Sequence, residues 1–443
     1  MRMQLSELAR LTGGRLHGAD VEILGMSHDS RSIEPGALFV ALPGERVDGH
    51  DFARQALQAG AVAVLCTRVL DEPCPQLQVA DPLAAMGQIA AAWRARLDTR
   101  IVGITGSNGK TTVKEMVAAV LGVAGPTAST PGNYNNEIGV PLTLASLNVE
   151  HAFAAVEMGE ARPGDIRYLA EIARPQVGVI TNAGPAHLAT MGSLEAVAET
   201  TGELLTALPA DGVAVINAED AFVERWRELA GPRRVLSFGI DVEADLRGTI
   251  DQGRLRVRFP DGEAEFRPAL PGRHNLLNAL AAMAVAQAFE IPRAAAIMAL
   301  EQVVGLRGRL QVRHHPQGWA LVDDTYNANP ASLYAGLRVL ADMGGESWLV
   351  LGDMAELGPD TDKLHAEMGQ AAADLGVRRM YCLGGVSRGS CQAFGTGGVH
   401  FDSHHDLLEA LKRDLHPGVN CLVKGSRSMA MEQVVDGLLG GEG

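Results

Sequence analysis

Apolar positions recur along this chain with two periods. Short β-branched runs that suit buried strands give way to stretches with helical spacing. Residues 100–105, RIVGIT, predict a strand that runs into a glycine turn. Behind the turn Val113, Met116, Val117, Val120 and Leu121 fall at i, i+3, i+4, i+7 and i+8, one buried helix stripe. Further strands are expected at 38–42, 61–65, 152–156, 177–181, 213–216, 348–351, 380–383 and 421–423, with a helix pattern at 52–59. Asp81-Pro82 marks a helix start, and 83–97 reads as a connecting helix. Strands alternating with helices predict an α/β fold with mostly parallel sheets. The pattern divides into three units, 1–80, 81–311 and 312–443, the last a smaller Rossmann-like α/β domain.

In parallel sheets ligands sit beyond the carboxyl ends of the strands, and polar residues gather there. The 100–105 strand leads into Gly106, Ser107, Asn108, Gly109, Lys110, Thr111 and Thr112. Such a turn presents backbone N–H groups and a helix N-terminus to phosphate, the lysine reaches the outer phosphates, and the hydroxyl after it can bind Mg²⁺. The common form of the motif has a glycine six residues before the lysine; here that position is Ile104. The central unit is therefore expected to be a P-loop domain that binds a nucleoside triphosphate with Mg²⁺.

Glu157 follows the next strand, where a carboxylate facing the loop suits Mg²⁺; an ordinary loop glutamate is the other reading. His187, in a glycine- and proline-containing loop, is either a metal or phosphate contact or structural. Asn275 and Asn278 share one helix face and either read a nucleotide base or support the helix. Asp323, Asp324, Tyr326, Asn327 and Asn329 form a dense polar cluster beyond a strand, which suits ligand contact. Lys424-Gly425-Ser426-Arg427 at an expected helix start reads as an anion site.

Composition narrows the class. The chain has 443 residues and a formal charge of −15, from 38 basic and 53 acidic side chains, which disfavours a general nucleic-acid binder. Cys66, Cys74, Cys382, Cys391 and Cys421 form no CxxC pair, which fits a reducing compartment. The first residues lack a signal-peptide core, and no apolar run approaches the roughly 20 residues of a membrane span, so a cytoplasmic location without membrane insertion is expected. Gly385-Val386-Ser387-Arg388-Gly389 matches a nucleophile elbow only literally, because a partnered histidine and acid are also needed. The adjacent pairs His314-His315 and His404-His405 are poorly placed to share a metal and are expected to be solvated.

Taken together, TGSNGKTT, EMGE, NAGPAHL, RHNLLNALAA, GRL and DDTYNANP, in this order, resemble the Mur ligases of bacterial cell-wall synthesis across essentially the whole chain. The front segment HDSRSIEPGALFVALPGERVDGHDF looks like the UDP-binding module of the third and fourth ligases of that pathway. PGNYNNEIGVP, LGDMAELG and LVKGSRSMAME favour the fourth, and the third enzyme's DNPR string is missing.

The resemblance implies a monomer that phosphorylates the terminal carboxylate of UDP-N-acetylmuramoyl-tripeptide with ATP and couples it to D-alanyl-D-alanine. It places Lys110 on the γ-phosphate, and Thr111 and Glu157 on Mg²⁺ with His187 in support. Asn275 and Asn278 go to the adenine, Arg309 to phosphate, and Asp324 to the nucleotide. Tyr326 and Asn327 join the nucleotide site. Ser30 and Arg31 take the UDP end, Asn133, Asn135 and Asn136 the muramoyl-peptide channel, and Lys424 and Ser426 substrate.

One departure stands out. Family members usually carry a carbamylated lysine where this chain has Thr201, and no lysine lies between Lys114 and Lys363. A second Mg²⁺ is then expected on other oxygens, Glu199 or Glu203 through water, or bound weakly; a partly impaired enzyme is the other reading. A further departure is Arg307, where relatives often have proline. The rival readings are another ligase of the superfamily, such as the third Mur ligase or a folate-polyglutamylating enzyme, and a nucleotide-binding regulator without ligase activity.

Overall fold

The computed structural model describes residues 1–44, 47–185, 188–305 and 307–440. Its three larger sheets fall in succession along the chain and make three α/β domains, and a short antiparallel ladder, Met3–Gln4 with Glu22–Ile23, accompanies the first. The first has five strands in the order Arg15–His17, Gln76–Gln78, Ala63–Cys66, Ala37–Val40 and Gly25–Ser27. Only the pairing of Arg15–His17 with Gln76–Gln78 is antiparallel. Ala37–Val40 and Ala63–Cys66 are buried throughout, as continuous apolar runs in a parallel sheet should be.

The connecting helix is Pro82–Arg94. Asp81 starts it by accepting hydrogen bonds from the Leu83 N–H at 2.9 Å and the Ala84 N–H at 3.1 Å, with proline at the first helical position. Its buried face, Met86, Ile89 and Ala90, packs in one core with Leu38 and Leu65 of the first sheet and with Ile101, Ala154 and Val156 of the second. One apolar core thus joins the first domain to the second.

The central sheet has nine strands. Its heart runs Val213–Asn217, Val177–Ile180, Arg100–Thr105, Phe153–Glu157, Thr127–Ser129, all parallel. Arg100–Thr105 lies where the strand order reverses, the place at which a parallel sheet opens a crevice. The other side continues through Arg234–Ile240 and Leu246–Asp251 to an antiparallel end, Arg254–Phe259 and Gly262–Phe266. No strand was expected there, although Arg254–Phe259 alternates exposed arginines with buried Leu255, Val257 and Phe259. Helices cover both faces. Lys110–Gly122 and Arg273–Ala288 pack on one side, and Pro82–Arg94 and Asp165–Ala173 on the other.

The third sheet has six strands ordered Gln311–His314, Ala320–Asp324, Val419–Lys424, Glu346–Gly352, Arg379–Leu383, Gly398–Phe401, with only the first pairing antiparallel. Separate apolar cores fill its two faces. Among the described residues no helix is long and apolar enough to cross a membrane.

Removing the cap in Asp81→Ala is expected to lower stability by about 1 kcal/mol. Urea denaturation followed by circular dichroism measures it, and an unchanged midpoint would contradict the capping role.

Candidate active site

The strand Arg100–Thr105 ends at Gly106, and the helix Lys110–Gly122 begins after Gly109. Both glycines have positive φ, +129° and +83°. A Cβ on Gly106 would lie 2.2 Å from Thr181 Oγ1, and one on Gly109 would lie 2.9 Å from Asn278 Oδ1, so only glycine fits either position. No side chain caps the helix, which leaves its first-turn N–H groups, those of Lys110, Thr111 and Thr112, for a ligand. Lys110 Nζ curls back onto the Gly106 carbonyl.

The loop amides before them behave otherwise than expected. The Ser107 N–H donates to the Asn182 carbonyl at 2.9 Å, and the Asn108 N–H to Asn182 Oδ1 at 3.0 Å. The Ser107 hydroxyl bonds both the carbonyl and the N–H of Gly184. The segment after Val177–Ile180 therefore braces the loop, and the anion cradle is the first helical turn. Thr181 and Asn182 were not singled out in sequence, though their place after a buried strand was the available signal.

Glu157 is the last residue of its strand and is 2% exposed. Its Oε1 accepts from Asn135 Nδ2 at 2.8 Å, while Oε2 is buried without a partner. Glu160, 5% exposed, accepts from Thr105 Oγ1 at 2.8 Å through Oε2, and its Oε1 also has no partner. Sequence reading passed over Glu160. Among the described residues no group of three or more His, Cys, Asp or Glu side chains could hold a metal. One or two carboxylates with a hydroxyl, phosphate oxygens and water is instead a set that suits Mg²⁺. His187 lies outside the described residues.

The third domain reaches into this site. Arg309 donates to Thr111 Oγ1 at 2.8 Å, and its guanidinium sits 4.1 Å from the Tyr326 ring centroid. Burial pushes the Tyr326 phenol up, Arg309 pulls it back, and nearby Glu157 adds to the rise. Asn329 Nδ2 donates to Asn108 Oδ1 at 2.8 Å. Asn327 is exposed, and its Oδ1 accepts from the adjacent Ala328 N–H at 2.8 Å.

Lys424 and Ser426 do not form the open anion site expected. Lys424 is 2% exposed and donates to Asp324 Oδ2 and, at 2.9 Å, to the Asn327 carbonyl. Ser426 Oγ accepts from the Ala355 N–H at 2.6 Å, and a 3₁₀ turn, Arg427–Met429, separates it from the expected helix, Glu432–Leu439. A buried lysine beside a buried carboxylate is satisfied there rather than offered to a ligand. Asp324 is likewise engaged, with burial raising its carboxyl and Lys424 opposing that rise. The same lysine adds to the burial that drives the His274 imidazole down to about 4, which leaves it neutral near pH 7.

Asn275 and Asn278 are both buried. Asn278 packs against Gly109 and donates to Asn275, which donates to the Pro271 carbonyl at 2.8 Å. Their placement brings helix Arg273–Ala288 to the underside of the loop.

The front residues gather at a second place. Ser30 is buried on Gln55, and Arg31 is exposed and paired with Asp29. The neighbouring His28 ring lies 6.5 Å from the Tyr134 ring, so this loop meets the 131–138 segment. Within that segment Asn135 touches Glu157, Asn133 is exposed, and Asn136 Oδ1 accepts from the Ile138 and Gly139 N–H groups at a helix start.

Several sequence expectations need correction. Glu199 pairs with Arg225, and Glu203 accepts from the Gly164 and Arg167 N–H groups at 3.0 Å, so neither stands ready for a metal. Thr201 is fully buried and donates to the Val197 carbonyl at 2.7 Å within its own helix. Ser387 is buried at a helix start with its hydroxyl on the Leu383 carbonyl, which removes the nucleophile reading. The histidine pairs are not simply solvated: His315 stacks on Trp319 at 4.0 Å, and His404 bonds the Met429 carbonyl.

Family models match three stretches: residues 22–94 as "Mur ligase family, catalytic domain", 104–286 as "Mur ligase middle domain" and 308–427 as "Mur ligase, glutamate ligase domain". The chain is 40% identical to the UDP-N-acetylmuramoyl-tripeptide--D-alanyl-D-alanine ligase of Escherichia coli K12, with 98% of each covered. To the Bacillus subtilis protein of that name it is 33% identical, with 99% of each covered. Its fold matches a crystal structure of MurF from Acinetobacter baumannii with a TM-score of 0.93, 32% identity and 99% of each chain covered. It also matches MurF from Thermotoga maritima in complex with ADP with a TM-score of 0.82, 28% identity and 94% and 97% covered.

Gly106→Ala forces both a disfavoured φ and a collision with Thr181, a strain of roughly 1–3 kcal/mol or more. ADP affinity measured by calorimetry is expected to fall at least about tenfold with the protein still folded; unchanged affinity would contradict the assigned cradle.

Proposed function

The chain belongs to the Mur ligase family, and from that premise we propose that it is the ATP-dependent ligase that joins D-alanyl-D-alanine to UDP-N-acetylmuramoyl-tripeptide in peptidoglycan precursor synthesis. The products are UDP-N-acetylmuramoyl-pentapeptide, ADP and phosphate. The observation that carries the reading is the convergence at one sheet edge of an uncapped helix N-terminus, Lys110, the half-satisfied Glu157 carboxylate and Arg309 from the segment that enters the third domain.

A free carboxylate is a poor acylating agent, and transfer of the γ-phosphoryl group to it creates an acyl phosphate with a good leaving group. The amine of the dipeptide then attacks that carbonyl, and phosphate leaves. Lys110 releases the Gly106 carbonyl and takes the outer phosphate. The first-turn N–H groups of Lys110, Thr111 and Thr112 hold the inner ones, with the Ser107–Gly109 loop braced behind them by Asn182. Glu157 and Thr111 supply oxygens for Mg²⁺, with His187 in support; when bound, that ion offsets the crowded phosphate charge. Arg309 moves from Thr111 onto phosphate, which couples seating of the nucleotide to closure of the third domain. Asn275 and Asn278 set the loop from beneath, and Asp324, Tyr326 and Asn327 set Arg309 over the nucleotide.

We assign the UDP end to Ser30 and Arg31 in unit 1–80, and the muramoyl-peptide channel to Asn133, Asn135 and Asn136 in unit 81–311. The dipeptide goes to unit 312–443, near Lys424 and Ser426. A cytoplasmic site of action follows from the need for ATP and the UDP-linked precursor.

Two measurements test this. Mass spectrometry of the purified protein with ATP, Mg²⁺, UDP-muramoyl-tripeptide and D-Ala-D-Ala should find the pentapeptide, and Lys110→Ala should lower kcat at least about 100-fold; full activity in that variant would refute the phosphate role. Because Thr201 cannot carry a carbamate, the rate should not respond to bicarbonate at any Mg²⁺ concentration, whereas strong activation would contradict this.

A further inference from the structure

Glu157 and Glu160 stand three residues apart where the chain leaves its strand, 2% and 5% exposed. Each has one carboxylate oxygen met by a neutral donor, Asn135 Nδ2 for one and Thr105 Oγ1 for the other, both at 2.8 Å. Each has its second oxygen buried with no hydrogen-bond partner. Neither forms an ion pair among the described residues. Two half-satisfied buried carboxylates in one short segment are strongly unfavourable unless a cation joins them. The tethers also fix where they stand. Thr105 immediately precedes Gly106, so Glu160 is tied to the stem of the phosphate loop. Glu157 is held through its own N–H by Thr130 Oγ1 and through its side chain by Asn135. The other acidic side chains considered for this role, Glu199 and Glu203, are already paired elsewhere.

We propose that Glu160 is a second carboxylate ligand of the magnesium site, its Oε1 joining Glu157 in the coordination sphere. Mg²⁺ takes one or two carboxylates together with phosphate oxygens and water, which is the donor set this segment and a nucleotide provide. The proposal rests on the ATP-driven reading for the identity of the ion.

Mn²⁺ serves as the probe, with free Mn²⁺ followed by electron paramagnetic resonance in titrations of the full-length wild type, Glu160→Gln and Glu157→Gln, each with and without ADP. Glu160→Gln keeps the side chain's volume and an acceptor for Thr105 while removing the charge. Mn²⁺ affinity should fall about tenfold or more in Glu160→Gln, with metal-free ADP affinity unchanged. The melting temperature of the metal-free protein should rise, and its further rise on adding Mn²⁺ should shrink. Equal Mn²⁺ affinity and an equal metal-induced rise in wild type and variant would overturn the proposal and leave Glu160 as an acceptor for Thr105. If Glu160→Gln does not fold, Glu160→Asp retracts the oxygen while keeping the charge; weaker Mn²⁺ binding then supports the assignment and unchanged binding overturns it. Pentapeptide formation is scored separately. An active ligase whose Mn²⁺ affinity ignores Glu160 sinks this proposal alone, and a protein that binds Mn²⁺ through Glu160 but makes no pentapeptide sinks the function alone.

Discussion

The Glu157 carboxylate is kept dry at the carboxyl end of its strand, with one oxygen on Asn135 and the other on nothing. The same sheet edge carries the uncapped first turn of helix Lys110–Gly122. Unpaired negative charge and unpaired N–H groups are both costly when buried, and they cannot relieve each other directly without closing the space between them. A metal–triphosphate complex relieves both at once, since its phosphates accept from the N–H groups and its cation meets the carboxylate. The fold maintains this tension. Gly106 and Gly109 allow the loop to pass against Thr181 and Asn278, and the Asn182 segment fixes the loop amides so that only the helix turn faces outward.

The third domain answers to the same tension. Arg309 lies between Thr111 and the Tyr326 ring, and Asn329 holds Asn108, so its polar edge already sits over the loop. Behind that edge the Lys424–Asp324 pair is buried and internally satisfied. A buried pair of this kind contributes little net stability and fixes geometry instead. Here it anchors the strand ends Ala320–Asp324 and Val419–Lys424 to each other.

The architecture was legible because strand and helix periods are strong signals. The strand at 100–105 has the predicted limits, and Glu157 closes its strand one residue beyond the predicted end. What was missed has physical reasons. In the strands of 254–266 one face is charged, so alternation in Arg254–Phe259 was masked by its arginines. The placements of Lys424 and Glu160 depend on partners 100 and 55 residues away, which no local pattern reveals. Glu199 and Glu203 illustrate the converse: both looked available from sequence position, and both are claimed by partners from neighbouring helices.

The most direct measurement is a crystal structure with a non-hydrolysable ATP analogue and Mn²⁺, read at the manganese absorption edge. The account predicts an anomalous peak within coordination distance of Glu157 Oε2 and a phosphate oxygen, with Arg309 released from Thr111. A manganese ion held by phosphates and water alone, with the Glu157 oxygen still without a partner, would contradict it.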